Sequence, residues 1–391
     1  MRGGRRVRHL SAGPGRTEEP GQRRRQGTIQ GFAFLFLLWL ASCAQQPFVT
    51  VRELPAYNSL FAREAGWTGG DGAYSTVLSG DRILWLFGDT LIGRIENGRH
   101  VDTRLINNSV ALQRGRDPIT ATVEFYYREG AAGRPEPFVR PPAPERWFWA
   151  YDGIMGPDGL HFFLMELERA EPSGFRLVGT WLAQVAEPGA SPLAWQIRMK
   201  RIPWARFSDS GNLFFGSAIL AEKDFYYIYG IDEDIGEGWP RKYMILARAP
   251  RDHLGDFDQW RFYAGGAWRP DTESITRLCG EMANEYSVSF MAGLGRYVAI
   301  YTDMGVSDRI VARTGPTPQG PWSSPLRLYT CPEASESRSI VCYAGKGHPA
   351  LSPAPDTVIV TYVANAVDFD AMLADARLYR PRFLEVRFSR R

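Results

Sequence analysis

Cysteine and histidine are scarce in this chain: its 391 residues hold four of the first and five of the second. Such small numbers exclude a disulfide-dense scaffold and a histidine metal cluster, and the paired-cysteine spacing of a zinc site is absent. There is no Gly-x-Ser-x-Gly elbow. Gly345-Lys346-Gly347 lacks both the spacing and the following Ser or Thr of a phosphate loop, and no dinucleotide fingerprint is found. Serine hydrolysis and nucleotide chemistry therefore have no foothold. No long segment carries apolar residues at the helical period of 3.6, which excludes coiled coils and helical bundles. A basic body is missing too. The net charge is +3, but residues 1–30 carry eight Arg against two Glu, residues 31–42 carry no charge, and the rest of the chain comes to −3. The folded part has no electrostatic footprint for nucleic acid.

Long apolar runs are also lacking. The one candidate, residues 32–41, is half the ~20 residues that a membrane-spanning helix needs. Behind an Arg-rich segment it reads as the core of a signal peptide, giving residues 1–42 as a leader with a long basic start. It ends in Leu40-Ala41-Ser42-Cys43, which resembles the lipobox of bacterial lipoproteins and implies cleavage before Cys43 and lipidation there. Ala44-Gln45-Gln46 fits a tether, so residues 43–58 are expected to hold a lipid-anchored tether and a closing strand. The expected location is the bacterial cell envelope; no Asp follows Cys43, which in a Gram-negative cell favours the outer membrane or cell surface. Cys331 and Cys342 flank a polar loop and are the disulfide candidates, three unpaired thiols being the alternative.

What the body does have is short apolar runs rich in Val, Ile, Phe, Tyr and Trp, punctuated by Gly, Pro, Asp and Asn, the pattern of strands and turns. A unit recurs: strand, tight polar turn, then a strongly aromatic or β-branched strand. Copies begin at Gly72, Gly153, Phe215, Tyr286 and His348, each followed by a further strand. Repetition on this scale predicts blades. The fold class expected is all-β, a five-bladed β-propeller over residues 59–391 with blades of three to four antiparallel strands. Residues 49–54 are placed to supply an outer strand that locks the ring to the C-terminal segment. Two side-by-side β-sandwiches are the competing architecture, but no linker separates them.

Hairpin arithmetic locates the chemistry. Residues equidistant from a turn face each other across a hairpin. Asp71 and Asp89 are equidistant from Gly80, Asp152 and Glu166 from Gly159, and Glu285 and Asp303 from Leu294. Three hairpins thus place paired carboxylates at their open ends. Crowded carboxylates separate into one protonated and one ionised group, as glycoside hydrolysis requires. The candidate catalytic residues are Asp71, Asp89, Asp152 and Glu285, with the pair Asp71 and Asp89 in first place and Asp152 tuning it. Against this stands the ordinary use of Asp beside Gly in turns.

Trp67, Trp149, Tyr151 and Tyr286 open or precede inner strands, where ring faces stack on sugars or pack blades. His348, opening the fifth unit, is a candidate polar partner in the axis. These five are the candidate substrate-binding residues, for a polysaccharide or oligosaccharide. No metal site and no cofactor are required by the sequence, although clustered oxygens leave room for a calcium ion on the axis. A monomer is expected, touching the membrane through its lipid anchor alone.

Gly66-Trp67-Thr68-Gly69-Gly70-Asp71-Gly72, followed by Leu84-Trp85-Leu86-Phe87-Gly88-Asp89-Thr90, resembles the opening of bacterial propeller domains of unknown function related to glycoside hydrolases. The resemblance continues through Asn107-Asn108-Ser109, Phe215-Gly216-Ser217-Ala218, Gly320-Pro321-Trp322 and Gly347-His348-Pro349, spanning roughly residues 60 to 365. It implies a five-bladed propeller in the structural group of arabinanases, xylosidases and fructosidases, with first-blade acids at Asp71 and Asp89 and a second-blade acid at Asp152. The sequence departs at the third blade. Those glycosidases place a Glu acid there, and Phe214-Phe215-Gly216 offers none. Either the first-blade pair supplies both catalytic groups or the domain binds sugar without cleaving it.

Overall fold

The computed structural model describes residues 47–171 and 174–389. The leader and Cys43 lie outside the described residues. The described chain is all-β with a few short helical turns, the longest being Pro55–Leu60. No helix among the described residues is long and apolar enough to cross a membrane.

Among the described residues there are seven antiparallel sheets, and the five largest follow one another along the chain. Sheet I orders Tyr74–Ser79, Arg82–Phe87, Ser109–Arg114 and Thr122–Tyr126. Sheet II orders Trp147–Gly156, Gly159–Glu168, Arg176–Val185 and Arg198–Arg201. Sheet III is built on Gly211–Glu222, Phe225–Asp234 and Arg241–Pro250, with short flanking strands. Sheet IV orders Tyr286–Met291, Arg296–Thr302, Arg309–Gly315 and Leu326–Thr330. Sheet V orders Ile340–His348, Thr357–Ala366 and Pro381–Ser389, then takes Phe48–Glu53 as its fourth strand. The inner strands touch in succession from I to V, and V touches I again. Phe48–Glu53 runs antiparallel to Pro381–Ser389, with Phe48 opposite Ser389 and Glu53 opposite Leu384.

Burial explains the sequence pattern. The second strand of sheet II, Gly159–Glu168, is buried at every position but the last, because both its faces are covered by neighbouring sheets. Such strands read as continuous apolar runs. The outer strand Phe48–Glu53 alternates and is mostly open. A three-stranded sheet of Ala65–Gly70, Thr90–Glu96 and Arg99–Ile106 stands beside sheet I and was not expected from the sequence.

Register settles the hairpin expectations. In sheet I, Tyr74 faces Leu86, and the ladder continues to Asp71, whose N–H donates to the Asp89 carbonyl at 3.1 Å. The Asp71–Asp89 pairing is as expected. In sheet II the turn is Pro157-Asp158, with Gly156 opposite Gly159, and a bulge falls between Ala150 and Gly153. Glu166 therefore faces Phe148, and the expected Asp152–Glu166 pair does not form. Glu166 instead meets Arg146 at 3.3 Å and accepts from Trp181 Nε1 at 3.0 Å. In sheet IV, Tyr286 faces Tyr301, one residue out of the expected register. Asp303 turns to Arg309 at 2.7 Å, and Glu285 is left for the interior. The fifth inner strand also differs: it is Ile340–His348, ended by Pro349, rather than a strand beginning at His348.

Cys331 and Cys342 are both buried free thiols in contact with each other, not a disulfide; Cys279 is free as well.

Candidate functional site

The bulge in sheet II and the register of sheets I, IV and V bring Asp71, Trp149, Tyr151, Glu285 and Tyr343 around one cavity of about 230 Å³. It lies at the N-terminal ends of the inner strands. Gly88 forms part of its wall, and a Cβ there would stand 2.5 Å from Asp71 Oδ1, so only glycine admits the carboxyl group. Backbone strain gathers at this cavity: Ala73, Ala344 and Tyr379 all hold positive φ (51°, 57° and 60°). Non-glycine residues in this conformation cost about 1–3 kcal/mol each and cluster at functional sites.

Asp71 is held from two sides. Tyr343 Oη and Tyr379 Oη both donate to its Oδ2, at 2.8 and 3.0 Å. Its carboxyl is nevertheless pushed well above the usual carboxylate range, first by burial and then by the charges of Asp89 and Glu285, which outweigh the two phenols. Asp89 accepts from Trp149 Nε1 at 2.8 Å and Asn107 Nδ2 at 3.1 Å. Burial raises it to about 6, against the lowering by those two donors.

Beneath these acids sits Lys346, 1% exposed at its side chain. Its ammonium donates to the carbonyls of Gly72 and Ala344 (2.8 Å to the latter), meets Glu285 Oε1 at 3.4 Å and lies 4.4 Å over the Tyr74 ring. Burial lowers its pKa, opposed by the charges of Glu285, Asp71 and Asp152. The ammonium thus contacts one carboxylate, Glu285, and feels the charges of two more, Asp71 and Asp152. Among the described residues, no group of three or more His, Cys, Asp or Glu is placed to hold a metal ion.

Asp152 belongs elsewhere. It lines a second cavity of about 300 Å³ further along the inner strands, with Ser75, Ile219, Ser287 and Gly347. Its Oδ1 accepts from Gly153 N and its Oδ2 from Ile219 N, both at 2.9 Å, which ties the bulge of sheet II to sheet III. Burial raises Asp152 to about 7 despite these bonds and Lys346.

Of the expected sugar-binding residues, Trp149 and Tyr151 line the carboxylate cavity. Three do not. Trp67 is 2% exposed and stacks on Phe125 at 4.3 Å in the core. Tyr286 is buried and donates to the Gly230 carbonyl at 2.8 Å. His348 is buried between Ser75 Oγ and Thr361 Oγ1, at 2.7 Å from each, a satisfied structural histidine. In sheet III, Glu222 stands at the turn beside Tyr297 and brings no carboxylate to the cavity.

Sequence reasoning missed Tyr343, Lys346, Tyr379, Lys242 and Asn284. Asn284 lines the cavity, and its Oδ1 is buried without a hydrogen-bond partner among the described residues. Lys346 did leave a signal: a lysine inside the apolar run Ile340–His348 must be buried, and a buried ammonium requires acidic company.

Among solved structures, the chain is similar to a "putative hydrolase" from Bacteroides ovatus at 21% identity, over 86% of this chain and 90% of that one, with a TM-score of 0.68. The fold is shared. Weaker likenesses join it to a GH43_1 enzyme from Xanthomonas citri complexed with xylose (16% identity, 86% and 93% covered, TM-score 0.43) and to an exo-beta-1,3-galactanase from Phanerochaete chrysosporium (9% identity, 81% and 60% covered, TM-score 0.43). No curated protein matches. The family model described as Domain of unknown function (DUF5005) matches residues 55–388, and the chain belongs to that family.

Proposed function

We propose that this protein is a five-bladed β-propeller glycoside hydrolase that cleaves a polysaccharide at the carboxylate cavity. One observation carries the reading: Asp71 and Glu285 line a common cavity, with the charge of Asp89 acting on Asp71 and the rings of Trp149 and Tyr151 in the wall. Asp71 is the acid. Burial and the neighbouring carboxylates keep it protonated, and with both phenols donating to Oδ2 its proton resides on Oδ1. That proton passes to the departing glycosidic oxygen. Glu285, paired with Lys346, is the ionised partner that activates water or receives the anomeric carbon. Asp89 holds negative charge behind Asp71 and keeps its proton affinity high. Trp149 and Tyr151 give ring faces to the sugar. The pair first in line from the sequence was Asp71 with Asp89; this reading pairs Asp71 with Glu285, both of which line the cavity, and gives Asp152 a structural role.

A bacterial envelope location, a lipid anchor at Cys43, action as a monomer and independence of a metal belong to the same proposal. Their support is the sequence of the leader and the central Lys346.

The test is sugar release from a panel of arabinans, xylans, galactans, fructans and envelope polysaccharides by the wild type, Asp71→Asn and Glu285→Gln. Release that both folded variants lose is the expected result. Release undiminished in Asp71→Asn overturns the assignment, and no release from any glycan favours a sugar-binding protein that leaves its ligand intact.

A further inference from the structure

Beside the carboxylate cavity lies a smaller cleft of about 170 Å³, lined by Trp239, Pro240, Lys242, Tyr243, Met282 and Met304. The two share a wall. Lys242 lines both, and the consecutive residues Met304, Gly305 and Val306 pass from one to the other. Neither cavity alone reaches the ~300 Å³ at which ligand pockets ordinarily begin, and the two joined exceed it.

Trp239 is 58% exposed, an unusual position for the largest apolar side chain. It is nevertheless held: its Nε1 donates to the Met304 carbonyl at 3.2 Å, which fixes the indole while more than half of the side chain stays exposed. The anchoring loop is strained, with Met304 at φ 55°. Apolar faces (Trp239, Met282, Met304) stand beside polar groups that Lys242 and Glu281 supply. A sugar ring has the same two-sided chemistry, apolar on its C–H face and polar around its edge.

We propose that the Trp239 cleft is a second glycan subsite continuous with the carboxylate cavity, so that the ligand is a chain of several sugars and not a single one. The proposal rests on the glycan reading of the first cavity and extends it to ligand length. Trp239 is the stacking platform, and Lys242 is the hydrogen-bond donor at the junction, steadied by Glu233 at 3.7 Å.

The experiment uses the full chain carrying Asp71→Asn, titrated calorimetrically with xylo-, arabino- and β-1,3-galacto-oligosaccharides of one to five sugars, with and without Trp239→Ala. Affinity is expected to rise with chain length, and Trp239→Ala to lose about tenfold or more on the longest ligand and nothing on the monosaccharide. Trp239→Phe, which keeps a ring, restores part of the loss. Equal affinities for Trp239→Ala at every length, no dependence on length, or no binding by any of these ladders overturns the proposal. The catalytic reading is scored separately, by turnover of the same ladders by the wild type: length-dependent binding without turnover sinks the hydrolase and leaves the subsite standing.

Discussion

The cavity at the N-terminal ends of the inner strands and the cavity further along them each receive a buried aspartate, and Lys346 lies between the two. In the first, Asp71 is bonded by side chains alone on one oxygen, with its other oxygen toward the Gly88 wall. In the second, both oxygens of Asp152 are consumed by backbone N–H groups. Burial raises the proton affinity of both, so a perturbed acid does not by itself mark chemistry. The difference is what each carboxyl has left to give: Asp71 keeps an atom for a ligand, and Asp152 spends both on holding two sheets together.

Substitutions sharpen that contrast. Asp71→Asn removes the acid without changing its shape, and turnover is expected to fall about 10²–10⁴-fold, read as initial rate on whichever glycan is cleaved. An Asp152→Asn protein losing as much at equal stability would erase the distinction. Lys346→Met strips Glu285 of its buried partner, and about 3–5 kcal/mol of stability is expected to go, measured by urea unfolding; a loss below 1 kcal/mol would mean that the central ammonium organises nothing.

Asp152→Asn itself should cost about 1–3 kcal/mol, since an amide NH₂ would face one of the two backbone donors. It should also flatten the pH dependence. The folded-state value of about 7 lies above the ordinary ~3.9. The stabilisation from that bound proton is therefore full below pH ~3.9 and disappears as pH rises through about 7. Unfolding at pH 4 and pH 8 checks this: the wild type loses more between the two than the variant, and equal losses would place the titration elsewhere. The smallest effect is expected from Tyr343→Phe. One phenol fewer on Asp71 favours its protonated form, moving the alkaline limb of activity up by about one pH unit; a limb that stays in place would detach Asp71 from that limb.

Legibility followed the turns. The first hairpin pairs Asp71 with Asp89 because the one irregularity in its ladder, at Val77 and Ser79, lies beside the turn. The second failed mainly because its turn is Pro157-Asp158 and not centred on Gly159, and the bulge between Ala150 and Gly153 shifts the ladder by one residue more. The largest loss came from the fifth unit. His348 was expected to open a strand that it in fact ends, so Tyr343 and Lys346 were given no place on an inner strand. Asp152 was expected opposite Glu166 and beside the first-blade acids, but it lines the second cavity, since strand arithmetic gives the face of a residue and not which cavity along the strands it enters. Tyr379 reaches Asp71 from a stretch with positive φ between strands, for which no periodicity exists.

Phe48 stands opposite Ser389, so the first and last described strands end side by side. A fold whose first and last described strands meet in one sheet has no privileged starting point. Joining them with a short linker and cutting the exposed turn at Gly80 instead would give a circular permutant whose hydrogen-bonded neighbours are all preserved. In that rearranged chain sheet V would be made of consecutive strands, while sheet I would inherit the role of holding distant parts of the chain together.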